Sequence, residues 1–153
     1  MRQVPVAARP PDDRGLSLLD FGCSRYDGRH WRGYFDHDCG LPSNFNNNIK
    51  ARSGQEAWFC SDKGLGACMD AESDTWVTYT SNGKEHSGKA VIQRAHDRVK
   101  TVDTGYNVPH NFIICADIDG NDVWIGTSKG VGHGIGDGYY PRLRPAPAAT
   151  APK

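Results

Sequence analysis

The fold class predicted is all-β, and three observations predict it. Apolar residues make up only 37% of the chain while glycine reaches 18 residues, a balance suited to many turns and short strands. Short runs rich in β-branched and aromatic residues recur between Gly, Asn, Asp and Ser: Ala57–Cys60, Thr75–Thr80, Lys89–Gln93, Arg98–Val102, Phe112–Ile118 and Asp122–Ile125. The 3.6-residue apolar period of a long amphipathic helix is missing. The third observation is an internal repeat. Leu41-Pro-Ser-Asn-Phe45 … Trp58-Phe-Cys-Ser-Asp-Lys-Gly64-Leu65-Gly66 returns as Val108-Pro-His-Asn-Phe112 … Trp124-Ile-Gly-Thr-Ser-Lys-Gly130-Val131-Gly132, 66 to 67 residues later. A repeated unit is one that cannot bury its apolar face alone and stacks on its neighbours.

In chain order, residues 1–14 are Pro- and Arg-rich without periodicity and read as a disordered lead. Residues 15–35 hold Trp31-Arg-Gly-Tyr34, which recurs as Trp76-Val-Thr-Tyr79 after 45 residues. A period near 45 with four strands is the length of a propeller blade. One blade spans 40–80, with strands expected at about 48–52, 57–61, 65–70 and 75–80. The next spans 107–140, with strands at about 112–118, 122–127 and 131–135. Its glycines at 130, 132, 134, 136 and 138 strip one face of a strand of side chains. Trp31 precedes Pro42 by 11 residues and Trp76 precedes Pro109 by 33; the 22 extra residues read as a β-hairpin over 85–106 inserted between blades. Such junction insertions build binding rims, so this is the first place expected to carry specificity. Pro141 onward is a Pro/Ala tail over 141–153. The expectation is therefore β-propeller-like blades of four antiparallel strands in an incomplete ring, about two to two and a half blades.

These motifs resemble the two-component regulator propeller repeat, whose blade runs approximately G-L-P-x-N, D-x-x-G, W-(I/F)-G-T-x-x-G-L and W-x-x-Y. Gly40-Leu-Pro-Ser-Asn44, Trp58-Phe59, Gly64-Leu65 and Trp76–Tyr79 carry the likeness in one copy, and Asp117–Val131 in the next. Cys60-Ser61 departs from the Gly-Thr pair, and no Trp-x-x-Tyr closes the last copy. On this likeness Trp31, Trp58, Trp76, Trp124, Gly64 and Gly130 are structural, with Trp58 and Trp124 lying between blades. The resemblance implies a non-catalytic ligand-sensing or binding segment of a bacterial sensor or regulator, placed outside the cytoplasm. Two alternatives stand beside it: a protein-interaction scaffold in a larger assembly, and a fragment of a propeller lyase or hydrolase. The implied partners are the remaining blades or another protein chain, and unclosed blades expose apolar faces and edges that favour self-association.

Asp36-His37-Asp38-Cys39 packs metal-ligand chemistry into four residues, but neighbours in an extended segment point to opposite sides, so a solvated loop competes with a metal site. His110 and His133 stand where the other copy has Ser43 and Ala67; together with His96 and the pair Tyr139-Tyr140 they are the candidates for ligand contact. Asp117-Ile-Asp119-Gly-Asn121 begins like a calcium loop without its later glutamate, and a strand turn accounts for it. Catalytic signatures such as Gly-x-Ser-x-Gly, His-Glu-x-x-His and a P-loop are missing, and no cofactor is implied. Eighteen basic and eighteen acidic residues cancel, which gives no electrostatic case for nucleic acid. No apolar run is long enough to span a bilayer, and residues 1–11 lack the apolar core of a signal peptide. The five cysteines form no C-x-x-C, and an odd number leaves at least one thiol without an internal partner.

Overall fold

The structure, a computed structural model, describes residues 22–84, 87–95 and 97–136. The expected lead and tail, His96, Tyr139 and Tyr140 lie outside them. The described chain is all-β, with eleven strands in three antiparallel sheets, none closed into a barrel. The first sheet pairs β1 (Cys23–Tyr26) with β2 (Trp31–Tyr34). The central sheet runs in chain order through β3 (Asn46–Ala51), β4 (Ala57–Ser61), β5 (Leu65–Asp70), β6 (Thr75–Ser81), β7 (Gly88–Arg94) and β8 (Asp97–Asp103). The third holds β9 (Ile113–Asp119), β10 (Asp122–Thr127) and β11 (Gly130–Gly134).

Two differences from the sequence reading have physical causes. β3 starts at Asn46, two residues before its expected start, because Asn46-Asn-Asn48 has poor strand propensity yet finds partners. Asn47 sits at a bulge and its Nδ2 donates to the Ile113 carbonyl at 2.7 Å. The hairpin expected as a separate junction insertion instead continues the central sheet, because β7 pairs with β6 along its full length, from Thr75↔Arg94 to Ser81↔Gly88. Ala95, at φ 45°, lies in the tight turn between Arg94 and Asp97. The outer strand β8 reads Asp-Arg-Val-Lys-Thr-Val-Asp, and such charges discourage pairing with foreign strands.

The motif residues reappear as the same contacts in each copy. Asn44 Oδ1 accepts from the Asp36 amide at 2.8 Å; Asn111 Oδ1 accepts from the Ser81 amide at 2.7 Å, and its Nδ2 donates to the Ser81 carbonyl at 2.9 Å. Asp36 and Ser81 each follow the tyrosine of a Trp-x-x-Tyr strand by two residues. The asparagine of the Pro-x-Asn turn thus clips the entry to one sheet onto the exit of the previous one. It does so whether the partners lie 8 positions apart in sequence or 30. Thr127 Oγ1 donates to the Gly130 carbonyl at 2.9 Å, and Ser61 Oγ makes the same bond to Gly64 at 2.8 Å. Ser61 therefore preserves the turn although Cys60-Ser61 departs from the Gly-Thr motif. Removing the clip by Asn111→Ala leaves two backbone groups to find new partners. It is expected to cost about 1–3 kcal/mol, read as a lower urea midpoint with an unchanged m-value.

The apolar residues sort into two clusters, one on each face of the central sheet. Tyr34, Cys39, Leu41, Phe59, Cys68 and Trp76 pack between it and the first sheet. Trp58, Leu65, Ala67, Val77, Ile113, Val123 and Ile125 pack between it and the third. Alternation along β4 sends Trp58 to one interface and Phe59 to the other. The three sheets stack in series, with β3 and β9 side by side, where Lys50 Nζ meets Asp117 Oδ1 at 2.7 Å. That ion pair, with the Ile118 amide, holds the Asp117 carboxyl below the usual carboxylate range.

Candidate functional site

The loop Asp36–Cys39 folds as a tight turn. Asp38 Oδ1 accepts from the Phe35 amide at 2.9 Å, the Cys39 amide donates to the Phe35 carbonyl, and Cys39 is buried in the first interface. Asp36 Oδ1 meets Asn44 Nδ2 at 3.1 Å, and His37 Nδ1 stands 3.7 Å from the same carboxylate. The four side chains serve turn, clip and core in turn, so they do not converge; among the described residues no group of three His, Cys, Asp or Glu could hold a metal ion. Asp119 and Asn121 flank the β9–β10 turn, where Gly120 takes φ 57°.

His110 has a structural explanation. Its Nδ1 accepts from the Phe112 amide at 3.2 Å, as Ser43 Oγ accepts from the Phe45 amide at 3.1 Å in the other copy. The same Nδ1 lies 2.7 Å from Ser128 Oγ. His110 therefore replaces the serine in the same turn bond and adds a link to the β10–β11 turn.

His133 differs. It pairs across strands with Trp124, and the two rings stack with centroids 3.9 Å apart and planes 7° apart. Its Nε2 lies 2.9 Å from Asp122 Oδ2, while Asp122 Oδ1 accepts from the Gly136 amide at 3.1 Å. The Gly136 amide, followed by His133, holds the Asp122 carboxyl below its ordinary range. Trp124, expected between sheets, is instead 45% exposed, because among the described residues no sheet covers this face. Val131 shares it and is also exposed. This outer face of the third sheet carries the stacked Trp124–His133 platform, bordered by the carboxylates of Asp117, Asp119 and Asp122. The register could have revealed it, since a turn that pairs Thr127 with Gly130 also pairs Trp124 with His133.

At the opposite end Trp31 is 59% exposed and stacks on Tyr26, with centroids 5.0 Å apart. The buried tryptophans are Trp58 and Trp76, each at 1% exposure. Their indole nitrogens donate to Glu56 Oε1 at 3.1 Å and to Asp74 Oδ1 at 2.9 Å, which satisfies the one polar atom each carries inside. Two clefts open between sheets. One of about 410 Å³ borders β1, the start of the central sheet and Cys68; the other, of about 330 Å³, lies beside β11.

All five cysteines are free. Burial pushes the thiols of Cys23, Cys60 and Cys68 up to about 12, and that of Cys39 well above its ordinary value. Cys115 alone is exposed, on the same face as Trp124. Since the thiolate is the nucleophile, an aromatic disulfide reagent at pH 8 is expected to titrate one thiol quickly in the folded protein and five in denaturant. Cys115→Ser should remove the fast phase; a fast phase of two or more thiols would contradict the burial of the rest.

The chain matches no known family, no curated protein and no solved structure.

Proposed function

We propose that this chain is a non-catalytic binding segment of a β-propeller-type repeat protein, working through the faces and clefts that its stacked sheets leave open. One observation carries the reading. The face of the central sheet that bears Trp58 is covered by the third sheet, whereas among the described residues no sheet covers the equivalent face of the third sheet, which bears Trp124. Equivalent residues make equivalent surfaces, so the bare face is complementary to something shaped like a neighbouring sheet. Trp124 and Val131 are large apolar side chains left exposed on it.

Ligand sensing in a sensor or regulator is the form of this reading that the motif resemblance supports, with the Trp124–His133 platform as the surface for a flat or apolar group. The second reading, a docking scaffold in a larger protein assembly, is favoured by Trp31 and Tyr26 lying open at the other end of the stack. Size-exclusion chromatography with light scattering tests what both share. The full chain is expected to self-associate reversibly, and Trp124→Lys with Val131→Lys to weaken this by charging the bare face. A wild-type chain that stays monomeric as its concentration is raised would refute the claim that this face is built for a partner.

A further inference from the structure

We propose that the cleft beside β11 is a receptor for an extended strand carrying Trp-x-x-Tyr, donated by another polypeptide. The proposal goes beyond the binding reading above and rests on the internal repeat, not on ligand sensing. In the central sheet the fourth strand, β6, lies antiparallel to the third, β5, and drives Trp76 into the first interface. There Trp76 meets Tyr34 at 5.4 Å and Phe59 at 5.2 Å between ring centroids, within a cluster that includes Leu41, Cys68 and Ala57. The third sheet has strands equivalent to the first three of these and, among the described residues, no fourth.

The cleft of about 330 Å³ occupies the fourth strand's place. Its walls include the repeat equivalents of residues around Trp76: Tyr79 for Tyr34, Ile125 for Phe59, Val108 for Leu41, Gly134 for Cys68 and Val123 for Ala57. The cleft is thus a cast of the surroundings of a tryptophan that this sheet does not supply. Gly130 shows the same vacancy from the backbone side. A Cβ on Gly64 would meet the Tyr79 carbonyl of β6, whereas one on Gly130 would meet no described residue within 4 Å.

The chain's own sequence does not provide the missing motif in register. Counting on from Gly134, the positions of Trp76 and Tyr79 fall on Arg142 and Pro145. The edge itself suits an added strand. β11 reads Gly-Val-Gly-His-Gly, with none of the lysine or carboxylate charges that protect β8, so the amides and carbonyls that no described residue pairs can take a foreign strand by β-augmentation. Main-chain bonds to β11 would give affinity, and the indole in the cleft would give selectivity.

The probe is a labelled peptide with the sequence of Asp74–Ser81, Asp-Thr-Trp-Val-Thr-Tyr-Thr-Ser, added to the full chain and followed by fluorescence anisotropy. Saturable binding is expected, at least about tenfold weaker for the peptide with alanine in place of tryptophan. Gly134→Leu should abolish it by filling the slot. A Cβ there has only the Val123 carbonyl nearby, at 3.5 Å, so the variant has room to fold. Hydrogen exchange gives an independent readout in the unmutated chain: β11 amides should gain protection when peptide binds, and β8 amides should not. Equal binding of the alanine peptide, no saturable binding, or protection elsewhere overturns the proposal. Binding that appears only after residues 137–153 are deleted assigns the slot to that tail and overturns it too. A second copy as occupant would show as a dimer that the peptide fails to dissociate, and that also overturns it.

Discussion

Trp76→Ala is expected to lower the stability of this protein by about 3–5 kcal/mol, the usual cost of emptying a large aromatic site in a core. Three effects combine there. The indole is 1% exposed and packs on Tyr34 and Phe59, so its removal opens a void between the first and central sheets. Its Nε1–H leaves Asp74 Oδ1, a carboxylate that keeps its ion pair with Arg32 at 3.0 Å. The floor of the site is Gly40, on which a Cβ would overlap Trp76, so the backbone has been drawn close to the ring and cannot collapse further without moving the Gly40-Leu-Pro turn. Trp76→Phe should recover part of the loss. Thermal unfolding followed by circular dichroism measures both, and Trp31→Ala is the control. Trp31 occupies the matching position of the first sheet but is 59% exposed, so its removal should move the midpoint little. Equal losses at Trp31 and Trp76 would contradict the assignment of the two interfaces.

Gly64→Ala is expected to be the second most damaging change, and comparison with Gly130→Ala separates its causes. Gly22, Gly64 and Gly130 stand at the start of β1, β5 and β11 at φ 135°, 145° and 121°. Side chains rarely adopt such angles, so strain costs each about 1–3 kcal/mol. At Gly64 the new methyl would also stand 2.8 Å from the Tyr79 carbonyl and 3.0 Å from Thr80 Cγ2, adding an overpacking cost of about 1–3 kcal/mol. Gly130 has no neighbour to meet among the described residues. Denaturant titration should therefore rank Gly64→Ala clearly below Gly130→Ala, and both below the wild type. If the two fall together, the fourth strand is not what crowds Gly64.

Much of this architecture was legible before any coordinates. Six of the eleven strands, β4 and β6 to β10, sit on segments marked by β-branched and aromatic runs between turn residues, because strand formation and tight turns depend on chemistry close in sequence; β2, β3, β5 and β11 are marked by the repeat instead. β1, Cys-Ser-Arg-Tyr, is the exception, since nothing in its four residues distinguishes a strand from a loop; it is held by pairing with β2. The hairpin was visible as a hairpin but not as an extension of the central sheet. Period-two patterning says that β7 has two faces, not which strand it lies beside.

The candidate site was less legible. His133 was marked because it breaks the repeat, but its stack on Trp124 depends on register. His110 was marked for the same reason and proved to be the structural equivalent of Ser43. A residue that differs between copies can be new function or old function in new atoms, and only the hydrogen bond distinguishes them.

By itself the sequence determined the all-β class, the repeat and the turn chemistry, since each depends on residues a few positions apart or on a pattern that occurs twice. The tertiary structure alone decided which surfaces are interior. Trp58 and Trp124 occupy the same position of the same motif, yet one is 1% exposed and the other 45%. Nothing within either motif distinguishes them, because burial is a property of the neighbour: a sheet lies over Trp58, and none among the described residues lies over Trp124.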